Sequence, residues 1–398
     1  MPRCCSAARQ GPHHRSSRVA IACASASLLL SALAPVAAQA PAASPWSVSG
    51  DLRAGYFASE RTARSGTKSD EDAFNARLRI AIERGFSDRW TFRTRLAGRF
   101  SSGQDTINAY LRGYAPSPTG TAFGDITLDE VYLGYAAADN GMRVRAGRFQ
   151  TQFALPGVAS KGLDRNDSPN IDVNWTDGVH LDLPVTGGWR GHVIAEHRHR
   201  RGSGGVARAP LDFTDRDSRV SLFAGIANTK AWGPVDQRML SLTWMPASLA
   251  SAGLASPVRD DYITADARVS ATWPLRADGL RLVAGLEAGY AFNTPAGAAL
   301  GTGQTGDSDG LAWQAAASLY DIAPGHNLGV AYGRTGAGWL ISPDFRNNDE
   351  LAEIRYQRRF NKQTSLEARV RERRELEHPA GTRARIDHDL YVRVTHRF

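Results

Sequence analysis

The sequence predicts an all-β protein: a transmembrane, antiparallel, up-and-down β-barrel of about sixteen strands, with about eighteen as the alternative count. Three observations predict it. Segments with a period of two recur along the chain from residue 46 onward. The connections between them alternate between short and long. Aromatic residues gather at the segment ends.

The first segment runs from Val48 to Ala58. The second, Ala73 to Arg84, is clearer: Phe74, Ala76, Leu78, Ile80 and Ile82 alternate with Asn75, Arg77, Arg79, Ala81 and Glu83. Successive side chains of a strand point to opposite faces, so this pattern makes one apolar and one charged face. After a tight turn, Trp90, Phe92, Leu96 and Phe100 alternate with Arg93, Arg95 and Arg99. Further segments follow at 125–136, 142–151, 176–183, 188–198, 217–227, 237–245, 261–273, 279–293, 310–320, 327–335, 350–360 and 364–373. The last, 385–398, sets Ile386, Leu390, Val392, Val394 and Phe398 against Asp387, Asp389, Tyr391, Arg393, Thr395 and Arg397. Its pairing with the first strand would remove both sheet edges, which a lipid environment demands.

Short connections fall at 85–89, 137–141, 184–187, 228–236, 274–278, 321–326 and 361–363. Long ones fall between them at 59–72, 102–124, 152–175, 199–216, 294–309 and 336–349. Trp46, Trp90, Trp189, Trp273, Phe360 and Phe398 sit at the short-turn ends, and Phe74, Phe100, Trp244, Phe292 and Trp313 toward the long-loop ends. Two aromatic girdles suit the two interfaces of a bilayer. The faces carrying Arg77 and Arg79, Arg93, Arg95 and Arg99, and Glu367, Arg369 and Arg371 are too charged to pack against a second sheet. One barrel therefore spans 46–398, with no domain boundary.

The chain has 398 residues, 42% of them hydrophobic. The only long run of small and apolar residues, Val19 to Leu33, follows Arg15 and Arg18. Residues 1–40 read as a secretory signal with cleavage after Ala38 or Ala40. All three cysteines, Cys4, Cys5 and Cys23, lie in it, so the mature chain has no disulfide, thiolate nucleophile or cysteine metal site. The net charge of +8 drops to +4 once the four leader arginines are removed. Charges interleaved along strands of an exported chain argue against a nucleic-acid partner.

The terminal run Leu390-Tyr391-Val392-Arg393-Val394-Thr395-His396-Arg397-Phe398, the strand Arg143-Val144-Arg145-Ala146-Gly147-Arg148-Phe149-Gln150 and the segment Leu128-Asp129-Glu130-Val131-Tyr132-Leu133-Gly134-Tyr135 carry a resemblance. The chain resembles Gram-negative outer-membrane porins of the general-diffusion, phosphate-selective and alginate-export types. His396 departs from the pattern, since porins usually carry an apolar or aromatic residue third from the end. The resemblance implies an outer-membrane location with periplasmic turns and extracellular loops. It also implies lipopolysaccharide contact, Phe398 as an insertion signal for the barrel-assembly machinery, and a homotrimer. It further implies that the third long loop, 152–175, folds inward and narrows the barrel.

With the apolar faces outward, the lumen receives Arg53, Arg77, Arg79, Arg93, Arg95, Arg99, Arg143 and Arg145. Guanidinium groups in a narrow passage concentrate anions and suit two-pronged recognition of carboxylate or phosphate. The opposing expectation is a structural ladder neutralised across strands by Asp and Glu. In loop 152–175, Lys161, Asp164, Asp167 and Asp172 are the constriction residues, whose acids would face the arginines and set a transverse field.

No metal or other cofactor and no catalytic group is expected. Of His192, His197 and His199, the last two share a strand face without a visible third ligand, and neither Asp164-Arg165-Asn166-Asp167 nor Asp307-Ser308-Asp309-Gly310 has calcium-loop spacing. No Gly-x-Ser-x-Gly or His-Glu-x-x-His occurs, and His180 and His388 have no evident serine partner. The expected function is passive diffusion of small hydrophilic solutes with anions preferred. The alternatives are a selective channel for phosphate or an acidic saccharide such as a polyuronate, and, behind it, a barrel enzyme.

Overall fold

The computed structural model describes residues 46–102, 108–109, 125–164, 175–198, 208–250 and 258–398. The leader falls outside the described residues, as do Asp167, Asp172 and His199. The strands are β1 (Trp46–Thr62), β2 (Lys68–Gly85), β3 (Trp90–Ser101), β4 (Asn108–Ala109), β5 (Asp125–Ala136), β6 (Arg143–Phe149), β7 (Thr176–Pro184), β8 (Trp189–His197) and β9 (Val220–Asn228). They continue as β10 (Val235–Ala250), β11 (Arg259–Pro274), β12 (Arg281–Ala291), β13 (Leu311–Ala323), β14 (His326–Thr335), β15 (Asp349–Arg359), β16 (Thr364–Glu375) and β17 (Ile386–Arg397).

β4 adds only two residues, parallel to β5. The other sixteen strands pair antiparallel with their sequence neighbours, and β17 returns to β1 from Asp51↔Arg397 to Thr62↔Ile386. The sheet is thereby a closed barrel with no edge. At the seam the Gly50 amide donates to the Phe398 carbonyl (2.8 Å) and the Phe398 amide donates to the Gly50 carbonyl (3.1 Å). A β-carbon at Gly50 would lie 2.5 Å from the Phe398 ring, so glycine here lets the terminal aromatic lie against β1.

Each of the sixteen sequence segments is a barrel strand. Outward side chains such as Ile80, Leu240, Leu286, Val330, Ile354 and Val370 are exposed and apolar, whereas inward Arg77, Arg79, Glu353 and Arg369 are buried. Among the described residues, one connection differs from expectation. Residues 59–72 are not a long loop: β1 and β2 run on as a ladder to a turn at 63–67. The charged residues there pair across the hairpin, with Lys68 2.8 Å from Glu60, so a polar sequence still satisfies a ladder.

A β-bulge shifts the register between Arg95 and Leu96 of β3, opposite Glu130 and Leu128 of β5. Two residues, Asp129 and Glu130, thus share the inward face where strict alternation would give one.

Two loops fill part of the interior. The segment after β6 crosses from Phe149 to the opposite wall, burying Leu155, Val158, Ala159 and Leu163. The β14–β15 loop buries Ala337, Trp339, Leu340, Ile341 and Phe345. Inward glycines make the seat. A β-carbon at Gly285 would lie 2.8 Å from Leu155, at Gly289 2.4 Å from Trp339, at Gly329 2.8 Å from the Ala159 amide nitrogen, and at Gly333 2.7 Å from Phe345. Glycines four apart on β12 and again on β14 therefore leave a trough for both loops. Leu163, Trp339, Leu340, Ile341 and Phe345 join Leu211, Phe213, Met245, Leu249 and Tyr262 in an apolar core inside the barrel.

Candidate functional site

The interior has two chemically distinct walls. The basic one runs across β15, β16, β17, β1, β2, β3 and β5. Register places Arg53 opposite Arg77, Arg77 opposite Arg99, and Arg355 opposite Arg369. Like charges facing each other across a ladder are unfavourable, so carboxylates must intervene. Asp51 lies 2.8 Å from Arg77 and 3.6 Å from Arg53. Asp129 accepts two hydrogen bonds from Arg95, both 2.8 Å, and lies 3.2 Å from Arg79. Glu130 and Glu83 hold Arg93 at 2.6 and 3.1 Å. The bulge is what lets Asp129 and Glu130 serve Arg79, Arg93 and Arg95 together. Arg99 is buried on the same face. Arg143 stands at the short-turn rim, its side chain 64% exposed and 3.6 Å from Asp182.

The sequence reading missed the other half of this wall. Glu353 lies 2.7 Å from Arg355, Asp389 2.6 Å from Arg371, and Glu367 accepts from Arg393 Nε at 3.0 Å. Arg369 and Arg393 also pack on the buried Tyr391 ring, 4.1 and 4.8 Å from its centroid. The signal was present in the alternation of Glu367, Arg369, Arg371 and Arg373 with Leu366, Ala368 and Val370. What was missing was the closure of β17 on β1, which joins these arginines to those of β1–β3.

The crossing segment is anchored opposite its own strand. Val158 N–H donates to Ser318 Oγ (3.0 Å), Gly162 N–H to Asp344 Oδ2 (3.1 Å) and Leu163 N–H to Glu287 Oε2 (3.2 Å). Trp339 Nε1 donates to the Leu163 carbonyl (3.1 Å) and Ser342 Oγ to the Gly162 carbonyl (2.7 Å). Lys161 Nζ is 2.7 Å from Glu353. Burial pulls the Lys161 ammonium down to about 8, against the opposing pull of Glu353.

The expected transverse field needs correction. Asp164 does not face the N-terminal arginines; it pairs with Arg268 of β11, whose terminal nitrogen also reaches Asp266 (3.0 Å) and Glu287 (2.7 Å). The glycine trough draws the segment onto β12–β14, so among its described residues the cation Lys161, not Asp164, meets the basic wall. Asp164, Asp266 and Glu287 come close enough to hold a metal ion. Arg268 reaches all three, so the cluster reads as a loop anchor.

The second wall, on β6–β10, is apolar and aromatic: Phe149, Ile194, Phe223 and Met239 are buried beside Tyr132 and Phe153. His180 and His192 meet there, Nε2 to Nδ1 at 3.4 Å. Arg145 Nη2 lies 2.7 Å from His180 Nδ1. Guanidinium cannot accept, so Nδ1 is the acceptor and the His180 proton sits on Nε2. That proton occupies the position a metal would need. A third region, a polar cavity of about 630 Å³, opens beneath Gly157 and Val158, lined by Arg359, Lys362 and Arg397. Phe398 is half exposed at the same end of the barrel, its ring stacked near His396.

No family model and no curated protein matches the sequence. Solved structures do. OprB of Pseudomonas putida superposes with a TM-score of 0.57 at 10% identity, over 89% of this chain and 94% of its own. OccAB1 of Acinetobacter baumannii gives 0.55 at 13%, over 89% and 96%. An anion-selective porin from Comamonas acidovorans gives 0.52 at 11%, over 89% and 100%. A closed barrel of sixteen antiparallel strands, with an inward segment after β6 and this correspondence over nearly the whole chain, gives this protein the fold of the outer-membrane porins.

Proposed function

We propose that this chain is an outer-membrane channel for passive diffusion of small hydrophilic solutes, with anions preferred. The observation that supports it best is the wall of guanidinium groups running from β15 through β3 inside a closed barrel. Such a wall, at low local dielectric, raises the local anion concentration even when its members are individually paired, because the arginines stand shoulder to shoulder. The apolar outward face supplies the lipid contact, including lipopolysaccharide at the long-loop rim. Export on the leader, cleaved after Ala38 or Ala40, would deliver the chain to the barrel-assembly machinery with Phe398 as its signal. A homotrimer is part of the same reading.

The seating of 151–164 and 336–348 favours a narrow, selective passage over a wide general one. Phosphate or an acidic saccharide such as a polyuronate is the solute class that fits this second reading. Planar-bilayer recording in a salt gradient tests the proposal: reversal potentials are expected to show anion preference, and absence of conductance would remove the channel altogether. Liposome swelling across charged and neutral solutes then separates a general pore from a selective one.

Lys161 gives the proposal a pH signature. It is charged below about 8 and neutral above, while the guanidinium groups stay charged. The anion-to-cation permeability ratio is therefore expected to fall as pH rises from 7 to 9.5, about a midpoint near 8. The Lys161→Met variant is expected to show the lower ratio at both ends and no midpoint.

A further inference from the structure

The outward arginines of the two rims differ. At the short-turn rim, Arg84, Arg238 and Arg358 each lie over aromatic rings, and among the described residues none of the three has a carboxylate partner. Toward the long-loop end Arg148 lies over Trp175, but its Nε reaches Asp177 at 2.7 Å. That end also carries Glu60, Asp72, Asp261 and Glu372 on the outward face.

Register builds two of the short-turn groups across neighbouring strands. Arg84 of β2 stands between Trp46 of β1 and Phe92 of β3. Its guanidinium carbon lies 4.8 Å from the Trp46 ring centroid and 5.3 Å from that of Phe86. Arg238 of β10 stands in a row with Asn228 of β9 and Trp189 of β8. Its carbon lies 5.7 Å from the Trp189 centroid and 5.9 Å from that of Trp232, a turn residue that is 72% exposed. The buried Asn228 fixes this second group. Its Oδ1 accepts from Arg238 Nη2 (3.2 Å) and from the Lys230 amide (2.8 Å), while its Nδ2 donates to the Gly187 carbonyl (3.2 Å). Arg238 Nη2 also donates to the Lys230 carbonyl (2.8 Å), which leaves Nη1 open. Lys230 is exposed in the same turn and, among the described residues, also lacks a carboxylate partner.

Toward the middle of the barrel the outward face turns apolar beside each arginine. Ile82 and Ile80 follow Arg84 on β2, and Leu240 and Leu242 follow Arg238 on β10, all four exposed. Stacking on a ring holds a guanidinium in place without neutralising its charge. A cation at the end of an apolar lane, flanked by interfacial aromatics, matches an amphiphile with an anionic head and a hydrocarbon tail.

We propose that the short-turn rim binds anionic phospholipid at two sites, one at Arg238, Lys230, Trp189 and Trp232, the other at Arg84, Trp46 and Phe86. At each site the phosphodiester accepts from the open guanidinium N–H groups, and an acyl chain lies along the leucine or isoleucine lane. Lys230 brings a second cation to the first site, which makes it the tighter. The acidic opposite rim offers a bare phosphate no such pairing. The inference rests on the membrane placement of the barrel and not on conduction through it.

The test is native mass spectrometry of the full mature barrel in detergent, with phosphatidylglycerol, phosphatidylcholine, lipid A and inorganic phosphate offered at equal concentration. Phosphatidylglycerol is expected to stay bound in two copies, at least about tenfold more tightly than phosphatidylcholine, and to resist displacement by inorganic phosphate. Arg238→Gln combined with Lys230→Gln is expected to remove one copy and Arg84→Gln the other. Trp232→Ala should weaken the first site, and Arg374→Gln, outward at the opposite rim, is the control. Equal retention of phosphatidylglycerol and phosphatidylcholine, preference for lipid A, displacement by inorganic phosphate alone, or two retained copies in the combined arginine variants would each overturn the proposal. Should those variants fail to fold, the lipid preference of the unaltered protein and Trp232→Ala, which alters only an exposed turn, still decide. A mature chain that stays dissolved without detergent would instead sink the membrane placement.

Discussion

The double variant Gly289→Val, Gly329→Val is expected to raise single-channel conductance about twofold or more and to admit larger solutes in liposome swelling. A β-carbon at Gly289 would already stand 2.4 Å from the Trp339 ring, and one at Gly329 2.8 Å from the Ala159 backbone nitrogen. Overpacking a tight contact costs about 1–3 kcal/mol per site. Each loop hydrogen bond returns only about 0.5–1.5 kcal/mol net, although the Lys161–Glu353 contact is stronger. One added methyl, as in Gly329→Ala, already meets the Ala159 backbone nitrogen at 2.8 Å and is expected to give a smaller rise in conductance than the double variant. Two branched side chains press on both loops at once and should lift them from the trough. The barrel ladder is untouched, so heat-modifiable gel migration should be retained. Unchanged conductance in a folded double variant would mean that the seated loops do not set the pore width.

Glu353→Gln is expected to have the largest effect on stability. Glu353 is 2.7 Å from both Lys161 and Arg355 and 4.0 Å from Arg369, so one carboxylate serves three cations from a loop and two strands. Removing one partner of a buried ion pair costs about 3–5 kcal/mol because the other charges stay behind. The temperature at which the folded gel band converts to the unfolded one should drop clearly. Anion preference should rise, since a negative charge leaves the basic wall, and Lys161 should lose its hold on β15. Asp129→Asn is the informative comparison: it also strips charge from arginines, but it meets the crossing segment only at its root, through Gln150 Nε2 (3.2 Å), and not at Lys161. An unaltered conversion temperature for Glu353→Gln would show that water, not this carboxylate, balances the group.

The barrel was legible because its rule is local. Each strand announces its two faces by alternation, and Ala73 to Arg84 needs no partner to be read. The lumen arginines of β1–β3 were legible for the same reason. What escaped was whatever depends on pairing. Asp129 and Glu130 share a face only because β5 bulges where it pairs with β3. Arg355, Arg369 and Arg393 join the N-terminal arginines only through the seam between β17 and β1. Gly285, Gly289, Gly329 and Gly333 look like ordinary weak points in strands until the loops above them are known. The length of the β1–β2 loop was misjudged because a polar hairpin above the membrane carries no apolar alternation to follow.

The glycine trough has a consequence for biogenesis. The segment that crosses the interior leaves β6, yet its seat is built from β12–β14, and the Val158–Ser318 bond alone spans 160 positions of sequence. It can dock only after the carboxy-terminal half of the sheet has been laid down, so this segment seats last, and non-local contacts close slowly. If the chain is the channel proposed above, a barrel whose crossing segment has not yet docked is unplugged, and cells producing a variant that lingers there are expected to show hypersensitivity to bulky antibiotics in a growth assay.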